Sequence, residues 1–237
     1  MNEFQEIFAL ALSKANIKLT EKQITQFSQY YEFLVQTNKV MNLTALTEPR
    51  DVAIKHFIDC LLAYDKGMEG KKVADVGTGA GFPGVVWKIY DPTIQLTLID
   101  SLQKRLNFLE ELLAKLGIEG VTLLHLRGEE AGQDSALREK FAFVSARAVA
   151  RLNILAELCL PLVGPSGKFL ALKGAAEEEL KEAQKAIALL GGRVQEVKKV
   201  TLPFFEEERR SIIVVEKIKK TPAKYPRKAG AIKKEAL

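Results

Sequence analysis

Asp75-Val76-Gly77-Thr78-Gly79-Ala80-Gly81-Phe82-Pro83-Gly84 is the stretch on which the fold turns. It follows directly on Lys72–Val76, a short β-type run, at the point where a first strand should hand over to a helix. Glycines there let the backbone turn tightly and approach a ligand with no Cβ in the way. Three details narrow the ligand. Asp75 stands two residues before Gly77, where a carboxylate would repel a pyrophosphate but can help hold the amino-acid part of S-adenosylmethionine, directly or through water. The glycines Gly77, Gly79 and Gly81 run as GxGxG, with Phe82 where a dinucleotide-binding loop wants a small residue. Asp100, closing the next apolar run Ile94–Ile99, can accept hydrogen bonds from both ribose hydroxyls, and Ser101 adjoins it. Asp100 alone fits NAD equally well; the combination favours S-adenosylmethionine.

Outward from this loop the period alternates. Val121–Leu126, Phe141–Ser145 and Gly167–Leu172 read as further strands, and Leu102, Leu106, Leu109, Leu112, Leu113 and Leu116 form a helical stripe closed by Gly117. Arg193–Leu202 and Ser211–Lys217 read as a final strand pair joined by Pro203 and an acidic-then-basic turn, Glu206–Arg210. Such alternation implies right-handed crossovers and a Rossmann-like α/β fold: a mostly parallel seven-stranded sheet, helices on both faces, one antiparallel strand at the edge. Before it, Ile24, Phe27, Tyr31, Leu34 and Val35 recur at helical spacing behind a Thr20/Gln23 capping box. Pro49 suits the first turn of another helix carrying His56, Asp59 and Cys60. The expected division is a helical extension over 1–66, a cofactor-binding domain over 67–218 and a basic tail over 219–237.

Composition excludes several classes. Among 237 residues, 47% are apolar and 27% charged, ordinary values for a chain that buries a core. No apolar run is long enough to span a bilayer, and the amino terminus carries Glu3 and Glu6 rather than a basic signal pattern, so a cytoplasmic protein is expected. Cys60 and Cys159 are the only cysteines, without metal spacing, which speaks against a disulfide framework or a metal site. Net charge is +5, but Lys217 to Lys234 holds eight cations and no acid. That tail suits phosphate contacts or is a solvated terminus. No long apolar face asks for a second copy, so a monomer is expected.

Other candidates line the expected rim. Arg127-Gly128-Glu129-Glu130 follows the third strand, where Gly128 and Glu129 either meet an adenine ring or open a helix with acids in its first turn. Ser145-Ala146-Arg147-Ala148 follows the fourth, where methyltransferases of this architecture place residues near the transferred methyl. An Asn-Pro-Pro-Tyr stretch for exocyclic amines is missing, and neither cysteine is placed as a carbon-5 nucleophile. Arg147 instead suits an anionic or carbonyl-bearing target. Lys173 closes the fifth strand on the same side, and Arg209 and Arg210 can reach phosphate or lie in a solvated loop. His125 and His56 read better as structural histidines than as ligands.

Taken together, Asn38–Ala45, His56-Phe57-Ile58-Asp59, the Asp75–Gly84 loop, Arg127–Glu130, Ser145–Ala148, Lys173-Gly174 and Tyr225–Gly230 closely resemble the bacterial small-subunit ribosomal RNA guanine-N7 methyltransferases, the glucose-inhibited division protein B family. The likeness runs from the extension to the tail, departing at Thr37, Ala231 and Ile232. It implies a class I methyltransferase fold and methyl transfer from S-adenosylmethionine to N7 of a guanine in the decoding-region loop of 16S RNA, free or within the 30S subunit or its assembly intermediate. By motif, Gly77, Phe82, Gly128, Glu129 and Arg147 would contact the cofactor, with Arg147 at the active site. Lys173, Arg209, Arg210, Lys224, Arg227 and Lys228 are then the candidate RNA contacts. The rival readings are a small-molecule or protein methyltransferase, an RNA-binding module that keeps a cofactor pocket without turnover, and an NAD-dependent oxidoreductase, disfavoured by Asp75 and Phe82.

Overall fold

A computed structural model describes residues 2–237. Its centre is a seven-stranded sheet in the order β3-β2-β1-β4-β5-β7-β6. The strands are β1 (Lys72–Val76), β2 (Gln95–Asp100), β3 (Val121–His125), β4 (Phe141–Arg147), β5 (Val163–Lys173), β6 (Gly192–Leu202) and β7 (Phe205–Lys217). β1 to β5 pair in parallel, and helices α5 (Gly84–Tyr90), α6 (Gln103–Lys115), α7 (Gly128–Gln133), α8 (Leu152–Cys159) and α9 (Glu177–Leu189) cross between strands. β7 runs antiparallel to both neighbours and lies one place in from the edge, with β6 outside it.

The hairpin corrects one expectation. Glu206–Arg210 does not form a turn but belongs to β7, and the reversal occurs at Pro203-Phe204, where Phe204 adopts φ +66°. The charged run extends a ladder in which Val200 faces Arg210 and Lys199 faces Ser211. The functional consequence is directional: β7 begins where β4 and β5 end, so its first residues arrive at the same rim as Arg147 and Lys173.

Alternate strand residues feed two apolar clusters, one per face, as period-two side chains must. Val73, Leu96, Leu98 and Leu170 join α5 and α6; Ala74, Ile99, Phe169 and Ala171 join α7, α8 and α9. The first cluster also contains the amino-terminal helices α1 (Glu3–Lys14) and α2 (Glu21–Met41), through Phe4, Phe8, Phe27 and Tyr30. Gln23, the capping-box partner of Thr20, donates from Nε2 to the carbonyls of Ile89 and Tyr90, so the start of α2 is locked to the end of α5. Next come α3 (Pro49–Asp51), a π-helical stretch over Val52–Ile58 and α4 (Asp59–Leu62).

The second cluster takes in the carboxy-terminal segment. Tyr225 is buried there, and Ile232 of α10 (Ala229–Lys234) is buried as well. Arg138 donates to the carbonyls of Gly132, Tyr225, Thr221 and Pro222, strapping residues 221–226 against α7. Lys217, counted with the basic tail, is buried with its Nζ 2.5 Å from Leu160 O and 2.6 Å from Thr221 Oγ1. Burial lowers its pKa to about 8. It is a core group, unavailable to phosphate.

Candidate active site

The glycine loop is braced from beneath. Asp75 is wholly buried, and its carboxylate accepts from Thr78 Oγ1 at 2.8 Å, Gly84 N at 3.1 Å and Ser145 Oγ at 2.9 Å. Burial pushes its pKa up, opposed by these donors. It does not line the cleft described below; with three buried donors its carboxylate ties loop, helix start and β4 together. Gly81 closes the loop against the extension, since a Cβ there would lie 2.7 Å from Tyr30 Oη. Tyr30 donates to Ala80 O at 2.5 Å and stacks on Phe82, which holds His56 on another side with ring centroids 4.5 Å apart.

Above the loop lies a cleft of about 420 Å³. Gly77, Gly79, Phe82, Asp100, Ser101 and Arg147 line it, with Thr44, His56, Arg105 and Val149, which carried no site role in the sequence. At Gly79 the space where a Cβ would stand is open, with no atom nearer than Gly77 O at 4.0 Å. Asp100 Oδ2 accepts from Gly79 N at 2.9 Å and Oδ1 from Leu102 N at 2.9 Å, fixing the carboxylate at the end of β2. Among the described residues, only the partly exposed Arg105, at 3.4 Å, pairs with it from the open side. Gly128 and Glu129 open α7, with Gly128 against Val76 and Leu158, while Glu129 is held by Arg127 Nε at 2.7 Å. They follow β3 on the same rim but do not line this cleft.

A second cleft, about 490 Å³, adjoins the first and shares His56, Arg147 and Ala148 with it. Lys55, Lys173 and Arg210 line it. Lys173 bonds Ala150 O at 2.9 Å and Glu179 at 2.8 Å; Lys55 and Arg210 both meet Glu208. Arg209 is exposed beside it on β7. Lys224, Arg227 and Lys228 line neither cleft. Arg227 is committed to the buried Glu157 of α8 through its backbone N, Nε and Nη2, at 2.7–2.8 Å. Lys224 lies over the Tyr225 ring, and Lys228 caps α10.

Arg147 stands where the clefts meet. Nη1 donates to Lys55 O at 3.1 Å and Asp59 Oδ2 at 3.2 Å, and Nη2 lies 3.0 Å from His56 Nδ1. Nδ1 also lies 3.2 Å from Lys55 O, but a guanidinium only donates and stands closer, so Nδ1 accepts from Arg147 and the imidazole proton sits on Nε2. Nε2 then donates to Thr44 Oγ1 at 2.9 Å. Burial, with Arg147 beside it, drives the His56 pKa down to about 3, so the ring is neutral. Burial likewise raises the Asp59 carboxyl, against the pull of Arg147 and Arg210. Sequence gave the π-helical stretch no special status, yet its wider turn carries Lys55 and His56 and leads directly to Asp59; such segments are frequent at functional sites. Only the His56–Asp59 motif signalled these residues, without roles.

Asn38 explains the Asn-Leu-Thr segment. Its Oδ1 accepts from Leu43 N at 2.6 Å and Thr44 N at 2.9 Å, and its Nδ2 donates to Thr44 O at 2.9 Å. Asn42, in the left-handed region at φ 51°, turns the chain out of α2 into that clamp. Phe82, His56 and Tyr30 thus make the amino-terminal helices part of the wall of the glycine-loop cleft.

Among solved structures, the fold is similar to a SAM-dependent methyltransferase from Aquifex aeolicus, with TM-score 0.55 and 20% identity over 73% of this chain and 96% of that one. Among sequences, the chain is 51% identical to ribosomal RNA small subunit methyltransferase G of Lactobacillus johnsonii, covering 98% of this chain and 99% of its relative. It is 45% identical to the protein of that name from Desulforamulus reducens across the whole of both. The family model described as rRNA small subunit methyltransferase G matches residues 23–213, a span holding both clefts' polar residues, and the chain belongs to that family.

Proposed function

We propose that this protein transfers a methyl group from S-adenosylmethionine to N7 of a guanine in the decoding-region loop of 16S ribosomal RNA, acting as a cytoplasmic monomer on the 30S subunit or its assembly intermediate. The observation that carries the reading is the junction of two unlike clefts at one arginine. The first fits the cofactor: an open glycine cradle at Gly79, a fixed carboxylate at Asp100 for ribose hydroxyls and a cation at the far end suit a nucleoside bearing an amino acid. The second, rimmed by Lys55, Lys173 and Arg210, suits a base delivered on a phosphate backbone.

S-adenosylmethionine supplies an electrophilic methyl on a sulfonium. Guanine N7 has an in-plane lone pair and no proton at neutral pH, so the chain has to align and polarise rather than remove a proton. The junction is built for that. His56 is neutral with both ring nitrogens engaged, and Asp59 is paired with two arginines, so each holds Arg147 in place. Arg147 keeps its Nε–H and one Nη2–H free of acceptors among the described residues, and we assign it the orientation of the guanine through O6. Arg209 and the exposed Lys224 and Lys228 belong to a wider RNA-facing surface; Arg227 serves it less, being held by Glu157. In this reading Gly128 and Glu129 meet the adenine.

The test is transfer of labelled methyl from S-adenosylmethionine to 16S RNA and to 30S subunits from cells lacking the protein, with the base identified by mass spectrometry. Label on N7 of one guanine is expected. Label on another atom, or none on either substrate, overturns the reading.

A further inference from the structure

Thr44 has a hydroxyl proton with nowhere to go inside the protein. Its Oγ1 takes Nε2–H of His56 at 2.9 Å and the Leu46 N–H at 3.1 Å, which fills both lone pairs. The reversed tautomer would satisfy Lys55 O at 3.2 Å only by setting Nδ1–H against the nearer, always-charged guanidinium of Arg147 at 3.0 Å, so Nδ1 is the acceptor. Thr44 is therefore a pure donor, and no acceptor among the described residues receives its O–H. It lines the glycine-loop cleft and does not line the cationic one. Asn38 grips the Thr44 peptide on both its N–H and its C=O, so the donor is held on rigid backbone.

We propose that Thr44 is a cofactor-binding residue whose hydroxyl donates to the carboxylate of the amino-acid end of S-adenosylmethionine. The two ends of the cleft differ in charge. Asp100 fixes a negative group at the ribose end, while Thr44 and Arg147 offer a neutral donor and a cation beside the loop. A carboxylate matches a donor next to a cation; an ammonium matches neither. His56 acts as a positioning residue, setting which way the Thr44 proton points.

The proposal rests on the S-adenosylmethionine reading, and the experiment separates the two. Binding of S-adenosylhomocysteine and of its decarboxylated analogue is measured by calorimetry on the full chain and on Thr44→Val and Thr44→Ser. Loss of a charge-assisted hydrogen bond should weaken S-adenosylhomocysteine about tenfold in Thr44→Val. The analogue should change by less than about twofold, and Thr44→Ser should restore the tight binding. Equal weakening of both ligands would mean that Val only disturbs the His56 contact, and would overturn the proposal. Unchanged binding of S-adenosylhomocysteine would overturn it too. Failure of the unaltered protein to bind S-adenosylhomocysteine at all would bring down the cofactor reading and this inference together.

Discussion

Arg147 and His56 lie 91 residues apart and meet Nη2 to Nδ1 at 3.0 Å, so that an arginine at the end of β4 decides the tautomer of a histidine in the amino-terminal extension. That relationship joins the sheet's rim to the helices in front of it. Several consequences can be measured.

Acid should destabilise the fold through His56. With a folded pKa of about 3 against 6.5 unfolded, the unfolded chain holds more protons between those values. The contribution is full above the unfolded pKa and falls as pH drops toward 3. By pH 5 the loss amounts to about 2 kcal/mol. Denaturant melts at pH 7.5 and pH 5 should show a larger loss in the native protein than in His56→Gln; equal losses would contradict the assignment.

Replacement of Arg147 by alanine should lower methyl transfer to 30S subunits by about a hundredfold or more, as expected for loss of a preorganised donor. Arg147→Lys should recover little, because an ammonium cannot span Lys55 O, Asp59 and His56 in one plane. Full turnover in Arg147→Ala would remove this residue from the mechanism.

Two glycines of one loop should fail in different ways. In Gly81→Ala the new methyl meets Tyr30 Oη and Val85 at 2.7 Å with φ at +99°, so stability should drop by about 3 kcal/mol. In Gly79→Ala the methyl enters open cleft, and strain at φ +59° costs only about 1 kcal/mol. There the larger effect should be on S-adenosylhomocysteine affinity. Thermal melts with and without that ligand separate the cases; a Gly79→Ala protein that binds normally would exclude the cradle role.

Asp75→Ala should act as a core lesion. It strands Thr78 Oγ1, Gly84 N and Ser145 Oγ, at about 3 kcal/mol in total. Asp75→Asn, which keeps the shape and part of the accepting capacity, should lose less. A denaturation midpoint unchanged in Asp75→Ala would show that the loop needs no brace.

The cations should divide by location. A Lys173→Ala, Arg210→Ala protein should bind 16S RNA more weakly and with a shallower salt dependence, its S-adenosylhomocysteine affinity unchanged. Neutralising Lys224 and Lys228 should have a smaller effect of the same kind. Arg227→Ala should instead unfold more easily, by about 3 kcal/mol, because the Glu157 carboxylate stays buried without its guanidinium. Salt titrations of RNA binding beside denaturant melts check all three.

Legible in the residues alone were the order of strands and helices, the glycine turn after β1, the acid at the end of β2 and the arginine at the end of β4. Those follow from period, glycine placement and residue chemistry, which are local. The residues also carried the family likeness. The rest lies in contacts between distant segments. Asp75 faces inward because Ser145 of the neighbouring strand and Gly84 of α5 converge on it, and spacing along one strand does not show what lies beneath it. Arg210 reaches the rim because β7 runs antiparallel, so the charged run extends a strand instead of forming a turn. Lys217 and Arg227 leave the basic tail because Leu160 O and Thr221 take one, and Glu157 the other. His56 and Thr44 join the site because α2 packs on α5 and α6 and places the extension over Phe82. Which buried partner neutralises a polar group depends on three-dimensional proximity, and a one-dimensional pattern does not contain it.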